Sequence, residues 1–167
     1  MSRRRYIYFT VSSWSQSIDH YPDKDPAKEI SGAGLNVIVR ALPDTKLALS
    51  DGRKLEDFDI SLGIVRGEFP PEEHQKANFA TDAFGGLWYL QDQNMIHGWF
   101  FFKPSNFDAI WNQVTIGGYS NCQLSLGVAP EEFERWKENP LSIVSASFRF
   151  DRKLPAREAA PRKGWLG

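Results

Sequence analysis

Apolar and polar positions alternate with a period of two in several separated runs, the period that lays one apolar row along one face of a β-strand. Ile7, Phe9 and Val11 alternate with Tyr6, Tyr8 and Thr10. Leu35, Val37 and Val39 restart the alternation, which stops at Pro43 and Asp44. Leu47 and Leu49 precede Asp51-Gly52 and Leu55 follows it, which predicts a hairpin over 46–55, because Asp-Gly tolerates the positive φ of a two-residue turn. Phe58, Ile60, Leu62 and Ile64 form the most regular row. Residues 87–90 and 95–103 predict a second hairpin across Gln91 to Asn94, with Asn94 as its left-handed residue. Cys122, Leu124, Leu126 and Val128, and then Val144, Ala146, Phe148 and Phe150, bring the count to about eight strands.

Between these runs the pattern lapses twice. Residues 12–33 carry Ser, Asp, Pro and Gly and read as a long loop with a helical turn near Pro26 to Ile30; residues 66–85 read as a second long connection. Pro70 and Pro71 open a short helix through Glu72, Glu73, His74 and Gln75, since proline suits the first helical turn. Phe107, Ile110, Trp111 and Val114 fall at i, i+3, i+4 and i+7, the spacing of an amphipathic helix. Ser105 is expected to cap it, with Asp108 completing a short capping box, and Gly117-Gly118 to stop it. Another short helix is expected over Pro130 to Asn139, with Phe133 and Trp136 on one side. Helix and strand do not alternate, which disfavours a doubly wound parallel sheet. The expected fold is mainly β: an antiparallel β-sandwich or curved sheet of about eight strands with two or three short helices, built from residues 1–151 as a single domain, with 152–167 as a basic C-terminal tail.

The run Trp99-Phe100-Phe101-Phe102 adds a constraint. In a strand, Met95, His97, Trp99 and Phe101 line one face, and Ile96, Gly98, Phe100 and Phe102 the other. Both faces must be shielded, since exposing one Phe forgoes about 2–3 kcal/mol. The helix around Phe107, with Trp111, is the expected cover; a partner subunit, or a ligand such as a sugar ring stacking on Trp88 or Trp99, are the alternatives.

Charge divides the chain. The net charge of −1 hides +3 over residues 1–5 and +4 over 152–167, which leaves −8 on 6–151. An acidic body lacks the basic face that grips a phosphate backbone, so nucleic acid is disfavoured as a partner. Arg157, Arg162, Lys163 and Trp165 of the tail are expected to meet an acidic surface of this chain or of a neighbour. No apolar run approaches the roughly 20 residues that cross a bilayer, and the first residues alternate where a signal peptide would be continuously apolar. The expectation is a cytoplasmic protein without a membrane partner.

Chemical motifs are sparse. Cys122 is the one cysteine, which excludes an intrachain disulfide and any zinc site with two thiolates. His20, His74 and His97 fall in three segments, and only His74, Asp92 and His97 could combine into a metal-assisted hydrolytic site. Asp19, Asp23, Asp25 and Glu29 cluster without the glycine of a calcium loop. Ser120 and Ser125 lack a nucleophile elbow, and Gly85-Gly86 and Gly117-Gly118 read as turns rather than a phosphate loop. No cofactor is implied. These features favour a non-enzymatic binding or assembly module acting through an aromatic sheet face, the long loops and the basic tail, in self-association or with a protein partner. A small-molecule ligand, a carbohydrate or a small metal-assisted hydrolase are the alternatives. The candidate binding residues are Trp88, Trp99, Trp111, Arg157, Arg162, Lys163 and Trp165.

Overall fold

A computed structural model describes residues 5–28, 30–43, 45, 47–76, 78–129, 136 and 139–152. Among these, seven strands close into one barrel: β1 (Arg5–Tyr21), β2 (Ile30–Ala41), β3 (Ile60–Arg66), β4 (Gly85–Leu90), β5 (Met95–Phe102), β6 (Asn121–Ala129) and β7 (Leu141–Asp151). Around the wall the order is β1-β2-β3-β5-β4-β7-β6, and β6 returns to pair with β1. All pairs are antiparallel except β3 with β5. Two α-helices accompany them, α1 (Pro71–Lys76) and α2 (Pro104–Ile116).

The mainly β reading holds, but the sandwich of about eight strands does not: the wall is a closed seven-strand barrel. The expected hairpin at 46–55 supplies the surplus. Its turn forms, with Gly52 at φ 86° and its N–H bonded to the Leu49 carbonyl at 2.9 Å. Its flanks make only an isolated bridge between Ala48 and Lys54. Leu47, Leu49 and Leu55 are buried in the core, so they fill the barrel's end instead of joining its wall. Apolar alternation records which residues face inward, and a plug faces inward as a strand does.

Two bulges reset the alternation. In β1 the register skips Ser12, so Ile7, Phe9 and Val11 point inward and the inward position then passes to Trp14. In β7, Gly127 pairs with Ser145 and Val128 with Ile143, which leaves Val144 as the extra residue. Ala146, Phe148 and Phe150 share the inner side, as their spacing implies, but below the bulge the core residues are Ile143 and Leu141 rather than Val144. One inserted residue moves every following side chain to the other face.

The stretch read as a long loop at 12–33 is a β-ribbon. β1 and β2 remain paired from Ser13 with Ile38 out to Tyr21 with Ile30, and a 3₁₀ turn at Pro26–Lys28 lies in the connection at the tip. β6 leaves β1 after Thr10, and β3 leaves β2 at Gly34, so the outer part of the ribbon projects from the barrel as an arm. Its sparse apolar residues match a two-stranded element with no core to face.

We term the end where β3 and β5 finish the upper end. There α2 seats Phe107 and Ile110 in the core. Lys103, not Ser105, precedes the first helical turn and makes no side-chain cap; Asp108 pairs with Arg66 instead of closing a capping box, with Arg66 Nε donating to Asp108 Oδ1 at 3.0 Å. Gly117 and Gly118, at φ 65° and 72°, end the helix as expected. The expected helix over Pro130 to Asn139 lies outside the described residues except for Trp136 and Asn139. The division into a domain and a tail is likewise outside them beyond Arg152, whose guanidinium donates to the Gly117 carbonyl and Gln113 Oε1 at the end of α2. No helix among the described residues is long and apolar enough to cross a membrane.

Candidate functional site

The aromatic strand β5 contributes to both sides of the wall, as its sequence requires. Ile96, Gly98 and Phe100 point inward and are buried. Gly98 is fixed there by crowding, because a Cβ would come within 2.6 Å of the Gly86 carbonyl oxygen and of Leu87 Cδ2. On the outer side Trp99 stacks on Trp88 of β4, with ring centroids 5.4 Å apart at 29°, and His97 meets the edge of Trp88 at 5.9 Å. Helix α2 does not cover this face. Phe69 and Phe79, from the connection between β3 and β4, do so: Phe69 stacks on Trp99 at 5.5 Å and meets Phe101 edge-on at 5.8 Å, and Phe79 touches Trp88 and Trp99 at 6.0 Å. The second long connection is therefore a strap over the aromatic face, and Gly86 lies beneath it, where an added Cβ would come within 2.8 Å of Phe79. Gly85-Gly86 is the start of β4, not a turn.

The structure brings Trp88 and Trp99 together and leaves Trp111 elsewhere, on α2, tilted against Phe107 at 5.9 Å and packed on the core. All three Trp are partly buried, and the rings around Trp88 and Trp99 belong to the chain itself. Arg157, Arg162, Lys163 and Trp165 lie outside the described residues. So does the His74 side chain; Asp92 sits in the 3₁₀ turn between β4 and β5, while His97 packs on Trp88. Among the described residues no three metal-ligating side chains converge. Asp23 and Asp25 of the acidic stretch accept backbone N–H bonds from Asp25 and Ala27, at 2.9 and 3.1 Å. Cys122 is buried in the wall, and loss of water pushes its thiol up to about 12, with the charge of Asp151 adding to the effect.

The wall has one opening that sequence patterning missed. β4 begins at Gly85, so it lies beside β7 only from Leu141 to Ile143, with Phe84 adding one last bond from its N–H to the Ile143 carbonyl at 2.9 Å. Above that point nothing described pairs with β7 on this side, and a cleft of about 440 Å³ opens between β5 and β7. Phe101 and Phe102 both line it, although neighbours in a strand point to opposite faces; Ser145 and Ala146 do the same from β7. Adjacent residues share a cleft here because it follows the strand edges left unpaired above Phe84 and Ile143. Phe84 and Phe69 complete an apolar lining, and Gly67, Glu68, Lys103 and Asn106 form the mouth.

The arm is the second exposed feature. Among the described residues, three of the six most exposed large apolar side chains lie on β1: Tyr6, Tyr8 and Ile18. Ile18 is 80% exposed, and Ile116, at the end of α2, is 72% exposed. Gln16 Nε2 donates to Thr115 Oγ1 at 2.9 Å, which ties the arm to the helix between these two isoleucines. Comparison with protein-family models, curated proteins and solved structures finds no match to this chain.

Proposed function

We propose that the protein is an assembly module that self-associates through the free edge of its β1 arm. A single observation carries this reading: among the described residues no strand pairs with β1 from Ser13 to Ile18 on the side that β6 vacates, and this stretch contains neither a charge nor a proline. Such an edge spans about 20 Å and offers its outer N–H and C=O groups to a further strand, an arrangement that soluble proteins ordinarily blunt with lysine, proline or a short strand. An edge left unblunted is suited to strand addition. A second copy is the occupant its charges favour. Antiparallel pairing about Ser17 sets Asp19 opposite Ser15, His20 opposite Trp14 and Ile18 opposite Gln16, so no charge faces its like. The exposed Ile18 and Ile116 would gain cover beside that seam.

The covered Trp88–Trp99 face gives less support to docking through an aromatic sheet surface, and β1 takes over the role expected of the first long loop. Sedimentation velocity of the full chain tests the proposal. The expected result is a dimer at micromolar concentration that weakens by at least about tenfold in Ile18→Lys, an exposed site, and in Ser17→Lys, which sets two lysines face to face. A monomer at every concentration, a dimer indifferent to both substitutions, or a dimer abolished only by deletion of 153–167 would overturn it.

A further inference from the structure

We infer that the cleft between β5 and β7 binds a small zwitterion carrying an aromatic ring, of the chemical class of a free aromatic amino acid. The inference is independent of self-association through the arm. The cleft's volume of about 440 Å³ falls in the range of small-molecule sites, and its apolar lining is phenyl rings, which favour a flat aromatic partner. The charge at its mouth is more specific. The Gly67 N–H donates to the Phe102 carbonyl at 2.8 Å, tying the ends of the two parallel strands, and Glu68 and Lys103 are the next residue on each chain. Both line the same cleft, yet neither forms an ion pair among the described residues. The nearby Arg66 and Asp108 already satisfy each other.

Opposite charges brought to one opening by a shared hydrogen bond, but left unpaired, form a two-point site. An ammonium group fits Glu68 and a carboxylate fits Lys103, while the ring lies in the cleft against the phenyl groups that line it. Asn106 and Ser145 supply further polar groups at the rim. A ligand with one charge would satisfy only half of the mouth.

Titration of the full chain with L-phenylalanine, 3-phenylpropionate and phenethylamine, followed by amide chemical shifts and calorimetry, tests the inference. L-Phenylalanine is expected to bind at least about tenfold more tightly than either singly charged analogue. Glu68→Gln should erase its advantage over phenylpropionate, and Lys103→Gln its advantage over phenethylamine. Asn106→Trp, at an exposed position at the mouth, and Ala146→Leu, inside the cleft, should each abolish shifts at Phe84, Phe101 and Phe102. Equal affinity for all three ligands overturns the zwitterion assignment. The absence of binding, or binding unchanged in a folded Asn106→Trp variant, overturns the site itself.

Discussion

The two ends of the barrel solve the same problem differently. At the lower end the segment 47–58 folds into the barrel's mouth. Leu47, Leu49, Leu55 and Phe58 are buried there with Trp136, whose backbone N–H donates to the Ala48 carbonyl at 2.8 Å. The polar groups around this plug are joined to one another. Tyr89 donates to Asp51 Oδ2 at 2.6 Å, Arg53 Nε donates to the same oxygen at 2.7 Å, and Arg53 also reaches Tyr89 Oη and Asn94 Oδ1. The Arg53 guanidinium lies over the Phe58 ring, 5.0 Å from its centroid. Asn139 clamps the end of β4, accepting the Tyr89 N–H at 2.9 Å and donating to the Tyr89 carbonyl at 2.8 Å.

The upper end is looser. It has a helical lid, a projecting arm, an open cleft and exposed isoleucines, and Trp14 Nε1 is shielded from solvent without a partner among the described residues. An unpaired buried donor costs about 1–3 kcal/mol. The contrast teaches where stability and recognition reside: the satisfied end holds the barrel shut, and the unsatisfied end is free to take a partner or a ligand.

Three measurements break or sharpen that contrast. Trp136→Ala should have the largest effect, a loss of about 3–5 kcal/mol in chemical denaturation, because it removes the seal from a buried plug. A loss no greater than that of a surface substitution would mean the lower end is not the lock. The next effect depends on pH. The Tyr89 hydroxyl above all holds the Asp51 carboxyl down to about 2 from its usual 3.8; desolvation opposes it, and the contacts with Arg53 add to the lowering. A carboxylate with a lowered value stabilises the fold fully above its unfolded value, so this contribution is intact above about pH 4 and is lost as pH falls towards 2. The stability gap between wild type and Asp51→Asn should therefore stay constant from pH 7 to 4 and shrink below that. A gap that widens on acidification would reverse the assignment. The smallest effect is expected at the upper end, where Ile116→Ser should change stability by less than about 0.5 kcal/mol, as thermal melting of dilute protein would show.

Much of the wall was legible from alternation alone. Ile60 to Ile64, Leu35 to Val39, Cys122 to Val128 and the two faces of β5 all stand as their spacing implies, and so does Asn94, at φ 50°. The failures share a cause. Leu47 to Leu55 carried an inward-facing pattern that a plug satisfies as well as a strand does. Val144 and Ser12 are single insertions that reverse phase without changing composition. The arm at 12–33 has backbone pairing but no core to write an apolar row. Of the candidate residues, Trp88 and Trp99 meet as neighbours on adjacent strands, but the rings that cover them come from residues 69 and 79, far away in the chain.

The sequence by itself determined that this protein is built of strands, which side chains face inward along most of them, and that a helix follows β5 and ends at Gly117-Gly118, because these depend on local periodicity and on glycine. Closure of seven strands into a barrel, the strap over the tryptophans and the cleft between β5 and β7 were decided only in the tertiary structure. Each depends on where a strand stops relative to a neighbour distant in sequence, and no local pattern records that meeting.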